Sequence, residues 1–444
     1  MNENVRKQWY NIFLVTLFLF SSLFSTNCFA GNKTEKGREI GEESTTPTAD
    51  SIIVEKLKEE GVSFSRNNTV TLLRNGQEKF DDMFSAIRQA KHSVHLEYFN
   101  FRNDSIAMLL FDILADRAKE GVKIRALYDA FGNSSNNQPL KKHHVKKLRE
   151  RGVEIYEFDP IRFPWINHVF SRDHRKIVVI DGAVAYTGGM NVADYYLKGT
   201  EQVGEWRDMH CRIEGSTVDE LQRIFLRIWN KVTKENIGGE EFFSQPNQFT
   251  GLKPDTTSTR GRKLVGIINR EPRKTADIIR TFYIEAINSA NDSIKLVNPY
   301  LTLNHKLKKA LKNAIKRGVK VEIMISQKSD IPLTPDCVFY NAHKLMKHGA
   351  DIWVYQPGFH HTKIIMVDGQ FCTVGSANLN ARSLRWDYEE NAVILDSCTT
   401  SELSRMFDND KTKSLYLTEK LWDEMRSPWK KFVGWFAHLL APFL

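Results

Sequence analysis

The chain has 444 residues, 41% of them hydrophobic and 26% charged, with a formal net charge of +9. That apolar share can build a sizeable core and excludes a chain left disordered for want of hydrophobic residues. The basic balance points to phosphate-bearing partners, nucleic acid or an anionic membrane, without choosing between them. Of the five cysteines, no two have C-x-x-C spacing, which gives a zinc site or redox pair little support.

Residues 1–30 read as a secretory signal peptide or an uncleaved membrane anchor. Arg6 and Lys7 precede a nearly unbroken apolar run from Trp9 to Phe24, and Cys28-Phe29-Ala30 offers a cleavage site before Gly31. Basic residues on the far side (Lys33, Lys36, Arg38) leave the orientation, and so the side of the membrane, open. Residues 31–50 are poor in apolar positions and read as a flexible linker. Two similar halves follow, at 51–237 and 263–420, joined by a second linker at 238–262.

Each half predicts the same succession of elements. A strand ("SVHLEYFNF", "SIKLVNPYL") leads to an amphipathic helix, a glycine stop, a strand, a second helix and a further strand. Gly121 and Gly318 lie 197 positions apart, as do Gly152 and Gly349, which is the mark of a duplication. His174 and His361 are only 187 apart, so the first half carries a ten-residue insertion around "IRFPWINHVF". The alternation of strands and helices predicts an α/β fold with mixed sheets and helices packed on them.

The repeated phrase carries the chemistry: "HRKIVVIDG" from His174 to Gly182 and "HTKIIMVDG" from His361 to Gly369. In extended chain, residues two apart share a face, so His174 projects with Lys176 and His361 with Lys363. An apolar run anchors each segment, and Asp181 or Asp368 with its glycine turns the chain. The return strand reaches Gly188-Gly189-Met190-Asn191 or Gly375-Ser376-Ala377-Asn378, where glycines would let backbone and carboxamide approach a ligand. One His-x-Lys is usually incidental. Two copies at matching repeat positions offer, twice over, an imidazole and two anion stabilisers suited to a phosphodiester.

These motifs resemble the phospholipase D superfamily. The flanking phrases "HLEYFNFRND", "EWRDMHCRIEG" and "YQPGFHHTKIIMVDG", with the closing "SPWKKFVGWFAHLLAPFL", resemble the bacterial cardiolipin synthases within it. The resemblance runs from about residue 70 to the C-terminus and implies a duplicated phospholipase D-like fold, two α/β/α halves around one active site at their interface. It implies phosphatidyl transfer between two phosphatidylglycerol molecules through a phosphatidyl-histidine, with no metal and no cofactor. By the same resemblance His174 is the nucleophile and His361 the acid–base group, although the near-symmetric sequence leaves the reverse open. Lys176, Lys363, Asn191 and Asn378 would stabilise the phosphoryl oxygens, and Asp181 and Asp368 complete the motifs, with a turn-forming role as well supported as a catalytic one. Asp208 and Glu389, some thirty residues after each motif, would orient the histidines, with Glu390 competing in the second half. The family often has two membrane spans where this chain has one short apolar segment.

The expected partners are anionic phospholipid and a membrane surface, not nucleic acid; the oligomeric state is left open. Residues 421–444 form an amphipathic tail, either docked on the body or lying in a membrane interface. Two further histidine features read as structural: His95 with Glu97 as a strand pair, with pocket lining as the lesser alternative, and His143-His144 as part of a solvated basic helix face. Water as acceptor would make the same residues a hydrolytic phospholipase D, and a nuclease of the superfamily is the more distant alternative.

Overall fold

The computed structural model describes residues 48–160, 170–243, 261–331 and 334–439. The leader, most of both linkers and most of the ten-residue insertion lie outside the described residues. The first helix of the described residues, Ala49–Glu59, begins within the stretch read as linker.

Local chemistry starts and stops the repeated helices alike in both halves. Ser105–Lys119 is capped by Asp104, which accepts from the Ala107 N–H, and His305–Lys316 by Asn304, which accepts from Leu307. The stop glycines 121, 152, 318 and 349 all have φ between 87° and 104°, the left-handed conformation that ends a helix at little cost only for glycine.

The strands of the first half lie side by side in the order Val153–Phe158, Lys123–Asp129, Ser93–Tyr98, Lys176–Ile180, Val184–Gly188, His210–Glu214, Phe64–Leu73. The second half repeats that order: Asp351–Tyr355, Lys320–Ser326, Ser293–Val297, Ile364–Val367, Phe371–Gly375, Glu389–Leu395, Lys263–Arg270, with Ser414–Tyr416 added at the outer edge. Pairing is parallel among the three strands linked by the helical crossovers and antiparallel beyond them. The two arrays are joined where Phe64–Leu73 pairs antiparallel with Lys263–Arg270, so one 15-stranded mixed sheet runs through both halves.

Three apolar layers hold this arrangement. An outer one lies between each half's strands and its own helices, with Phe80, Leu110 and Phe111 in the first half and Phe282, Leu311 and Phe339 in the second. The middle layer draws on both halves, packing Ile177, Val179 and Ile213 with Met324, Met366 and Val374. Burying one such side chain is worth about 1.5–3 kcal/mol, so this shared layer couples the halves strongly.

The tail forms a helix, Pro428–Leu439, that both docks and faces outward. Gly434 packs so closely on the Asp336 carbonyl that a Cβ there would lie 2.4 Å from its oxygen, while Trp429, Phe432, Trp435, Phe436 and Leu439 remain exposed. Among the described residues no helix is long and apolar enough to cross a membrane.

Candidate active site

The strands begin at Lys176 and Ile364, so each histidine sits in an extended lead-in just before its strand. Each lead-in is held by the opposite half. The His174 N–H donates to the Tyr388 carbonyl at 3.0 Å, and the His361 N–H donates to the Arg207 carbonyl at 2.6 Å. The next residue along each of those acceptor segments is a carboxylate. Glu389 Oε1 lies 3.0 Å from His174 Nδ1, and Asp208 Oδ2 lies 2.7 Å from His361 Nδ1. The carboxylate some thirty residues after a motif therefore orients the histidine of the other motif. With Nδ1–H donated to a carboxylate, each imidazole carries its lone pair on Nε2.

Lys176 and Lys363 are fully buried, and each donates to the carbonyl of the histidine two residues before it. Lys363 Nζ also lies 3.1 Å from His361 Nε2. Burial pushes the Lys363 ammonium down to about 8, with the charge of Lys176 adding to the effect, so the two lysines share one electrostatic environment. Burial lowers the His174 imidazole, partly offset by Glu389, and takes His361 down to about 4, with Lys363 adding and Asp208 opposing. Although burial opposes ionisation, Asp208 is held below the usual carboxylate range by Lys363 and His361. His174, Lys176 and Ser376 do the same for Glu389. Burial thus disfavours charge on both imidazoles, while the neighbouring lysines favour ionised Asp208 and Glu389.

Glu390 touches neither histidine. It accepts from the hydroxyls of Thr187 and Ser376, and burial raises it to about 8. Asn191 accepts from the Asn100 N–H at 3.4 Å. Asn378 is buried, and its Oδ1 has no hydrogen-bond partner among the described residues. The glycines before these asparagines make room for protein rather than ligand. A Cβ on Gly189 would lie 2.2 Å from Asp208 Oδ1, and one on Gly375 would lie 2.2 Å from Asn391 Oδ1.

The structure does not bring Asp181 and Asp368 to the histidines. Each follows the far end of its strand, about 20 Å of extended chain from the histidine seven residues earlier. Asp181 accepts from the backbone N–H groups of Lys91, His92 and Ser93, and Asp368 from those of Asn291, Asp292 and Ser293. Both residues have φ 51°. They pin the turn against the start of the neighbouring strand, which is the scaffold role.

His95 is buried, bonded to Gln222 and stacked on Phe225 at 4.6 Å. Glu97 is buried in an ion pair with Arg175 at 2.8 Å. Arg175 points away from Lys176, as the alternation requires, and also bonds Asp173 and Asn269. His144 caps its own helix by accepting from the Lys141 N–H. Among the described residues no group of three or more His, Cys, Asp or Glu is placed to hold a metal ion.

Sequence reasoning missed Lys79. It is fully buried and donates to the carbonyls of Met190 and Asn191 at 3.2 and 3.0 Å, fixing the loop that carries Asn191. The signal was present, since Lys79 falls on the apolar stripe of Gly76–Arg88 beside Phe80 and Met83. A lysine on a buried helix face requires dedicated acceptors.

A family profile described as "Cardiolipin synthase, PLD-like domain" matches residues 83–229 and 283–411, one match in each half. The chain is 36% identical over 388 residues to a cardiolipin synthase of Oceanobacillus iheyensis, covering 87% of this chain and 78% of the relative. It is 30% identical over 413 residues to a probable cardiolipin synthase of Bacillus subtilis, covering 91% of this chain and 79% of the relative. Among solved structures, a phosphatidylserine synthase of Haemophilus influenzae superposes with a TM-score of 0.66 at 13% identity, covering 88% of this chain and all of that one, which is a likeness of fold. With the histidine motif in both halves and relatives of this similarity along most of its length, the chain belongs to the phospholipase D-like cardiolipin synthase family.

Proposed function

We propose that this chain is a cardiolipin synthase that joins the phosphatidyl group of one phosphatidylglycerol to a hydroxyl of a second and releases glycerol. The observation that carries the mechanism is the crossed pairing of His174 with Glu389 and of His361 with Asp208. It gives two oriented imidazoles, each with its lone pair on Nε2, next to two buried ammonium groups, one of which (Lys363) stands 3.1 Å from His361 Nε2.

In the first step His174 Nε2 attacks the donor phosphorus. The P–N bond forms, the P–O bond to glycerol breaks, and His361 delivers its proton to the departing oxygen. In the second step His361 takes the proton from a hydroxyl of the second lipid, whose oxygen displaces His174 from phosphorus. Lys176, Lys363, Asn191 and Asn378 stabilise the phosphoryl oxygens, and a buried cation acts on them more strongly than one in water. His361 is neutral in the empty site because burial lowers it to about 4. An anionic phosphodiester beside it favours the imidazolium, so substrate binding itself arms the acid.

The substrate is an anionic phospholipid and the enzyme works at a membrane surface, a reading supported by the exposed aromatic residues of Pro428–Leu439 beside Lys430 and Lys431. Purified protein in phosphatidylglycerol vesicles, with products resolved by mass spectrometry, tests the function. Cardiolipin with free glycerol is the expected result. Phosphatidic acid without cardiolipin would make the chain a hydrolytic phospholipase D, with the same residues acting on water.

A further inference from the structure

A polar cavity of about 660 Å³, lined by neither histidine, adjoins the site through Trp206, and nothing in the mechanism above uses it. It lies on the His361 side. Trp206, in its wall, packs on the His361 ring with centroids 5.6 Å apart, and Tyr195, also in the wall, packs on Trp206 at 4.3 Å. Asp330 also lines the cavity and accepts from the Tyr300 hydroxyl at 2.7 Å, while the Tyr300 ring stands 5.9 Å from that of His361.

The reaction itself requires a site there. The leaving glycerol receives its proton from His361, and the attacking hydroxyl of the second lipid gives its proton to the same group. Both are glyceryl groups, so one polyol site next to His361 serves both steps. In the second step the glyceryl group carries its own phosphodiester, which needs a cation farther out.

The cavity has both parts. Carboxamides and a hydroxyl (Asn103, Asn137, Gln138, Thr200) suit vicinal hydroxyls. The carboxylates in the wall outnumber its two cations, which favours a neutral polyol over a free phosphate ion. Arg102 supplies the cation. Its Nε is buried without a hydrogen-bond partner, 3.8 Å from Asp104, and its guanidinium lies over the Tyr195 ring. The Arg102 side chain is 18% exposed and lines the cavity, where an incoming phosphodiester oxygen can meet its charge.

We propose that this cavity is the polyol subsite: it holds glycerol as it leaves and then the glycerol headgroup of the second phosphatidylglycerol, whose phosphodiester meets Arg102. The inference rests on the synthase reading above. The test uses the full chain in phosphatidylglycerol mixed micelles and follows two readouts, incorporation of labelled glycerol into phosphatidylglycerol and the ratio of cardiolipin to phosphatidic acid. In the wild type, glycerol exchange should saturate and resist competition by an equal concentration of propan-1-ol, which lacks vicinal hydroxyls. Arg102→Gln should lower the cardiolipin to phosphatidic acid ratio about tenfold, with Arg102→Lys partly restoring it. Thr200→Phe, which narrows the cavity, should raise the half-saturating glycerol concentration about tenfold.

Equal competition by propan-1-ol, or an unchanged product ratio and unchanged glycerol saturation in folded variants, would overturn the assignment while leaving the synthase standing. A wild type that makes neither cardiolipin nor glycerol-exchanged lipid would overturn the synthase reading, and the subsite with it.

Discussion

Asp208 and His361 come from opposite halves of the duplicated chain, yet their side chains meet at 2.7 Å. The mirror relation holds between Glu389 and His174 at 3.0 Å. Neither half therefore contains a complete oriented histidine. Separating the halves would leave each imidazole without the group that sets its tautomer.

This crossing can be read kinetically with a p-nitrophenyl phosphatidyl ester, whose leaving group needs no acid. Asp208→Asn should keep the nitrophenolate burst and lose turnover, because it disables the acid–base histidine. Glu389→Gln should lose the burst itself by about 10²–10⁴-fold. Opposite results for the two variants would assign the carboxylates, or the roles of the histidines, the other way round.

His174→Ala and His361→Ala should each reduce cardiolipin formation by about 10⁴-fold with thermal melting unchanged. Activity should persist in EDTA, because Lys176 and Lys363 supply the positive charge. Substantial turnover in either alanine variant would sink the two-histidine mechanism, and a loss in EDTA restored by added metal would point to other chemistry.

The pH profile should report Lys363. Burial places its ammonium at about 8, so the cation is present below that pH and is lost as pH rises through it. We expect kcat/KM to fall with a midpoint near 8, and kcat to fall at higher pH, because bound phosphate holds the proton on. Lys363→Arg should move the alkaline limb of kcat/KM upward even if it lowers the maximum. An unmoved limb would assign it to another group.

Asp181→Ala removes the acceptor of three backbone N–H groups and should cost about 1–3 kcal/mol, read as a lower denaturant midpoint. Activity per folded molecule should stay within about twofold. A large fall in kcat with unchanged stability would return Asp181 to the catalytic machinery.

Gly189→Ala should act through its neighbour. The added methyl would meet Asp208 Oδ1 at 2.2 Å, so the carboxylate must move off His361. We expect a fall in kcat of at least about tenfold with KM little changed, checked by steady-state kinetics on micellar substrate. Wild-type rates would show that the carboxylate can shift without losing its histidine.

Much of this was legible in the chain because it is local. The helix stops at Gly121, Gly152, Gly318 and Gly349 and the two His-x-Lys phrases depend on residues a few positions apart, as does the turn set by Asp181 or Asp368. Repetition turned a weak two-residue signal into a specific one. What the tertiary structure decided is long-range. Asp208 and His361 are 153 positions apart, and Glu389 and His174 are 215 apart. Which carboxylate serves which histidine follows from Glu205–Arg207 pairing with Gly358–His360 and from Asp173 bridging to Tyr388. Either pairing of carboxylates with histidines fits the same spacing along the sequence. Only the packing of the two halves around one buried layer chooses between them, while folding within a half buries Lys79 beneath Asn191 and closes Gly189 on Asp208 and Gly375 on Asn391.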